Sequence, residues 1–238
     1  MSSIRLAVII GMSGVLISCG HLSRSDARAQ LDRQARQQEF PIAPNSVWVR
    51  IGTVSGNCYN TPQADVLGAR ESILSAAGYI TVRQIKDHSW DVELTELGNR
   101  SIVTTMGKYG HTQKTDCDFW QVSFELSKFN HLDVTGIVED GVHAKVDALL
   151  TFIITPVGMA ARKVASPILL ELAKKTYGER LTQDSSEAVA QEFVRRNSSS
   201  LLGQELTDTP KDTDRYIKPG TFEFDKYDDG WKISTKDK

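Results

Sequence analysis

In "YGHTQKTDCDF", residues 109–119, a histidine, a thiol and two carboxylates fall within eight positions: His111, Asp116, Cys117 and Asp118. A cysteine attacks as its thiolate, so a nucleophilic Cys117 needs a base such as His111 within hydrogen-bond reach and a third group to orient that base. The reaction such a set would serve is hydrolysis through a covalent intermediate. No cysteine-hydrolase motif surrounds Cys117, however, and the residue opens an apolar alternation where it could simply pair with Cys58. That bridge would close a loop of about 60 residues and stabilise the fold by about 4 kcal/mol on the chain-entropy model. A disulfide, two buried thiols and one reactive thiol all stay open at this point.

Other chemistry has less to build on. His88, His111, His131 and His143 are scattered, no two lie three or four apart on one helix, and a meeting of His131 with His143 across neighbouring strands would be a pair rather than a metal site. No metal and no cofactor are expected. The sequence holds no Gly-x-Ser-x-Gly elbow, phosphate loop or dinucleotide fingerprint. Glu139-Asp140 and Asp228-Asp229 fall in predicted turns, where an aspartate stabilises the turn through its own side chain. Trp48, Trp90, Trp120 and Trp231 could line a groove, but strand tryptophans bury large apolar areas and are read as core.

The third cysteine is different. "MSSIRLAVIIGMSGVLISCG" places Arg5 ahead of about 12 uncharged, mostly apolar residues, Leu6 to Ile17, a run of signal-peptide length and too short to span a bilayer. It ends in Leu16-Ile17-Ser18-Cys19, which resembles the lipobox of bacterial lipoproteins. The resemblance covers only the first 20 or so residues. It implies a thioether-linked diacylglycerol on the Cys19 sulfur, cleavage between Ser18 and Cys19, and anchoring in a membrane by two or more acyl chains, each buried methylene contributing about 0.8 kcal/mol. In the same family an aspartate after the cysteine favours retention at the inner membrane. Gly20 here therefore implies the outer membrane, facing the periplasm.

Removing residues 1–18 from the 238 leaves 220, and the loss of Arg5 moves the formal charge from −2 to −3. A mildly acidic chain has no electrostatic case for nucleic acid. The length suits one large or two small domains, and no second apolar run is long enough to cross a membrane. Residues 19–45, rich in Arg, Gln, Ser and Ala, read as a lipidated tether, transiently helical at most, ending at Pro41 and Pro44. Residues 46–238 read as a globular α+β body.

Within the body, "SVWVRIGTV" is strand-like, with Val47, Val49 and Ile51 on one face. Residues 64–106 read as helix, strand, strand and a helix capped by Thr95, with Val66, Ile73 and Leu74 inward and a stop at Gly78. "LSAAGYITV" followed by "VELTELGNR" resembles a winged helix, which marks 64–108 as a candidate sub-region. The DNA binding that winged helices often perform is argued against by the lipid address and the acidic charge.

From Cys117 the period becomes two. "CDFWQVSFELSKF", "HLDVTGIVED" and "VHAKVDALLTFIIT" are three strands of a predicted meander, with an Asp-Gly hairpin at 139–142. Pro156 and Gly158 end it, and "SPILLELAKKTYG" and "SSEAVAQEFVRRNSSSLLG" follow as helices. Residues 207–220 read as loop, and "GTFEFDKYDDGWKIS" as a closing hairpin. That ending after curved strands resembles cystatin-like and NTF2-like α+β domains, which implies a curved antiparallel sheet packed with helices over 115–238. The functional expectation is a lipid-anchored envelope component that recruits or neutralises a partner, another envelope protein or cell-wall material, and is not an enzyme. Its rival is a lipid-anchored periplasmic hydrolase using Cys117 with His111 or a nearby carboxylate.

Overall fold

A computed structural model describes residues 20–37, 45–55, 68–86, 89–109, 118–177 and 186–234. Cys19, Cys58, His88, His111, Asp116 and Cys117 lie outside these residues, and so does Val66.

The chain is α+β, built on two antiparallel sheets with helices between and against them. The first sheet has the order β2-β3-β1-β5-β4, with β1 at Ser46–Ser55, β2 at Ile80–Lys86, β3 at Ser89–Leu94, β4 at Ile102–Tyr109 and β5 at Asp118–Glu125. The second has the order β6-β7-β8-β9, with β6 at Ser127–Asp140, β7 at His143–Ile154, β8 at Arg215–Tyr227 and β9 at Gly230–Ile233.

The alternation read from the sequence places the core. In β7, Ala144, Val146, Ala148, Leu150, Phe152 and Ile154 are buried while His143, Lys145, Asp147 and Leu149 face outward. In β5, Val122 and Phe124 are buried, and Leu126 just beyond it is too. Trp120 continues that face past the edge of the core and is exposed. In β1, Val47 and Val49 share the buried face, but Gly52 sits at φ +116 and creases the strand, so that Val54 turns inward instead of Thr53.

The predicted meander is broken in one place. β5 pairs with β1 and β4, whereas β6 pairs with β7, so the run read as continuous from Cys117 to Phe129 changes sheet at Leu126. The backbone there is spoken for by other segments. Leu126 N donates to Asn45 O at 2.7 Å, Thr155 N donates to Leu126 O at 3.0 Å and the Thr155 hydroxyl donates to Glu125 O at 2.6 Å.

Three helices form the layer beside the first sheet. α2 (Ala69–Ala76) buries Ile73 and Leu74 and packs against β1, β2 and α4 (Pro156–Tyr177). α5 (Ser186–Leu202) lies against α4 and β1, and the short α6 (Gln204–Asp208) links it towards β8. α4 starts ten positions ahead of the Ser166 at which the sequence reading begins it: Thr155 caps it by accepting from Gly158 N at 3.1 Å, and Pro156 takes the first-turn place where a missing N–H costs nothing. It then runs through Pro167, which stays on the exposed side. Its buried face, Val157, Ala161, Ala165, Leu169 and Ala173, repeats every four residues.

Two further expectations are corrected and a third is not confirmed. The segment read as tether contains α1 (Arg24–Arg36), capped by Ser23, with Ala27, Leu31 and Ala35 buried. α1 packs on both edge strands of the second sheet, β6 and β9, and the strongly curled sheet holds it. The winged-helix expectation for 64–108 is not confirmed by the described residues. Thr95 does cap a helix, but α3 (Glu96–Ser101) has only 6 residues, and β2, β3 and β4 belong to the five-stranded sheet. After Ser101 the β-branched run Ile102-Val103-Thr104-Thr105 favours strand. Finally, Arg215–Gly220 is strand, not loop. Pro219 is tolerated because β9 covers only Phe224–Tyr227 and leaves the rest of β8 as a sheet edge.

Candidate functional site

The junction of the two sheets is held by a polar knot. Asn45 N donates to the Ser127 hydroxyl at 3.1 Å, Asn45 Nδ2 donates to the Tyr216 hydroxyl at 3.2 Å, and the two hydroxyls lie 2.9 Å apart. Ser127 and Tyr216 are buried, and burial pushes the Tyr216 phenol up to about 12, against the opposing hydrogen bond from Ser127. Gly203, between α5 and α6, adopts φ +90, and a Cβ there would stand 2.6 Å from Asn45 Nδ2. Nearby, Gly158 lies so close to Leu126 O that a Cβ would approach it to 2.1 Å. One turn further along α4, the buried Arg162 guanidinium donates to the carbonyls of Thr209, Pro210 and Thr213 at 2.6–3.2 Å, and burial lowers its pKa. These contacts fix how the sheets meet.

Beside the knot the two sheets diverge and leave a cleft of about 530 Å³. Its walls come from the end of α3 and start of β4 (Ser101 to Val103), the start of β6 (Lys128, Phe129), the end of β7 (Ile153, Ile154) and the first residues of α4. Val103 and Ile153 are 51% and 41% exposed, and the lining mixes apolar Ile102, Phe129, Ile154 and Val157 with Ser101, Thr155 and Glu125, the last residue of β5. Arg100 and Lys128 stand at its rim, held by Glu96 and, at 3.5 Å, by Glu125. The Arg100–Glu96 pair is exposed on both sides and worth about 0–1 kcal/mol, so an incoming carboxylate can exchange for Glu96. Beyond Ile153 the outer face of the second sheet also carries exposed Leu149, in register with Pro219, and Ile217, the partner of Thr151.

The backbone around the cleft is as informative as its side chains. Among the described residues β4 is the last strand of the first sheet and β6 the first of the second, so two sheet edges border one cleft. An edge strand presents unpaired N–H and C=O groups to one side.

The residues singled out from the sequence are not gathered here. The proposed hydrolytic set Cys117, His111 and Asp116 lies outside the described residues, and so does the Cys58–Cys117 pair. His131 and His143 do not meet. His131 pairs in register with Thr151 and sits 3.6 Å from Asp133, while His143, at the opposite end of β7, bonds Asp225 at 2.7 Å. Among the described residues no three His, Cys, Asp or Glu side chains are placed to share a metal ion. The tryptophans do not converge either: Trp90 and Trp231 pack on the core, Trp48 is half-buried and Trp120 faces solvent. Sequence reasoning missed the cleft because its lining comes from the ends of six elements. Comparison with protein-family models, curated proteins and solved structures gives no match.

Proposed function

We propose that this chain is a lipid-anchored envelope protein that holds another polypeptide at a membrane surface, with Cys19 as the anchor and the cleft between β4 and β6 as the holding surface. The observation that carries the reading is the meeting of two sheet edges at one cleft with apolar patches and charged residues at its rim. An extended segment can add its backbone to a strand edge while alternate side chains enter the adjoining apolar space. Phe129, Ile153 and Val157 would take apolar side chains, and Arg100 and Lys128 favour a segment with a flanking acid. The lipobox at Leu16-Ile17-Ser18-Cys19 supports the address, and Gly20 supports the periplasmic face of the outer membrane. Anchoring confines both partners to a thin layer and raises their effective concentration.

The test is photo-crosslinking in intact cells from residue 103 or 153, beside Cys19→Ala. The expected result is one envelope protein crosslinked through a single extended segment, lost when the crosslinker is moved to the opposite end of β7 and strongly reduced in the Cys19 variant. A cleft that captures nothing, together with a Cys117 thiol that alkylates readily without reduction, would overturn the reading in favour of the hydrolase that uses Cys117 with His111.

A further inference from the structure

Gly20 is not at the start of a free leash. Its carbonyl accepts from the Trp231 indole N–H at 3.3 Å, and two residues on, Leu22 N donates to Glu139 Oε1 at 2.6 Å while His21 Nδ1 lies 2.9 Å from the other Glu139 oxygen. These contacts seat Gly20 at one end of the second sheet, between β6 and β9. That end carries both hairpin turns, Asp140 to His143 and Tyr227 to Gly230.

The turns expose apolar side chains that no fold requirement explains. Val138, Val142 and Tyr227 are 68%, 56% and 53% exposed. They surround the N-terminal attachment: Lys226 N donates to Val142 O at 2.8 Å, the Lys226 ammonium stands 5.7 Å from the centre of the Trp231 ring, and Lys232 stands 5.4 Å from that of Tyr227. Asp140 and Asp228 stand at the same turns, as does Asp229, paired with Lys232 at 2.7 Å. Aromatic rings with a polar tip, and lysines whose stems lie on apolar surface, suit the headgroup layer of a bilayer. The interleaved carboxylates leave no cationic excess, so the face does not select anionic lipid.

We propose that this end of the second sheet is a membrane-docking face, seated on a zwitterionic phospholipid surface through Val138, Val142 and Tyr227, with the chain entering the membrane at Cys19. The proposal rests on the anchoring reading above and adds an orientation to it. β6 and β7 then stand up from the bilayer, and the 14 residues of β6 carry the cleft on the order of 40 Å from the headgroups. The sheet, rather than a flexible tether, sets the reach of the protein.

The test uses the full chain, acylated in the cell and reconstituted into phosphatidylethanolamine-rich vesicles with or without brominated acyl chains. Val142→Trp and Tyr227→Trp place a fluorophore at the turns, and Val103→Trp places one at the cleft. The expected result is that the emission added at 142 and 227 is lost in brominated vesicles and that added at 103 is not, with no change on raising salt. As a second measure, Val138→Asp with Val142→Asp should relieve quenching of the native tryptophans, since Trp231 lies at that end. Protein that floats with the vesicles but is quenched no more at 142 and 227 than at 103 overturns the docking face and leaves the anchor intact. Quenching that appears only in anionic vesicles and disappears with salt overturns the zwitterionic assignment. Protein that does not float, or whose intact mass shows Cys19 unacylated, overturns the anchoring reading and this proposal with it.

Discussion

At the scale of single residues, the molecule depends on a few side chains where its two sheets meet. Tyr216 is the clearest. Its hydroxyl joins Ser127 and Asn45 in a buried knot, so Tyr216→Phe leaves two polar groups short of a partner and should destabilise the fold by about 1–2 kcal/mol. Chemical denaturation checks this. The same side chain makes a pH prediction whose sign follows from linkage. The folded state keeps the phenol protonated up to about 12, whereas the unfolded chain releases that proton near the ordinary 10.0. The native state therefore binds more protons across that window, and stability contributed below pH 10 should fall as pH rises towards 12. The Phe variant should lack this part of the alkaline loss in pH-dependent denaturation. Little of this could be read from the sequence, because Asn45, Ser127 and Tyr216 are 89 or more positions from partner to partner in two of their three pairings.

At the scale of elements, two helices test the packing. α4 meets the sheet junction at Gly158, with Leu126 O where a Cβ would go, so Gly158→Ala must push the helix from β5 and β6. The expected cost is at least 1–3 kcal/mol, about what overpacking a core costs, read as a lowered thermal midpoint. α1 is held by three apolar side chains, of which only Leu31 is large. Leu31→Ala should weaken the docking of α1 by about 2–5 kcal/mol. Hydrogen exchange should then show residues 24–36 losing protection ahead of β7. Sequence reading missed α1 for a physical reason: Ala27 and Ala35 add little hydrophobicity, yet small residues are what lets a helix settle closely into a curled sheet. The strands were more legible, since β7 alternates from His143 to Ala148 and a period of two needs no knowledge of the partner strand.

At the scale of the whole molecule, the second sheet joins the two proposed surfaces. One end of the β6–β7 pair carries the attachment of Gly20 and the exposed turn residues, and the other borders the cleft. On the proposed reading, the partner would be engaged at a set height above the membrane. Ile153→Glu should therefore abolish cleft capture, and leave vesicle flotation unchanged, because Ile153 lies at the far end of β7 from the turns.

The sequence by itself determined the α+β class, most strand positions and the inward faces of β5 and β7, because these follow from local periodicity and turn chemistry. It also carried the reading of Cys19, since a processing motif is recognised as a linear segment. Only the tertiary structure decided that the chain changes sheets at Leu126, that residues 24–36 are docked, and that β4 and β6 border one cleft. Each of these depends on which distant backbone satisfies a given N–H or C=O, and on which small residues let elements approach. Neither leaves a local pattern in the chain.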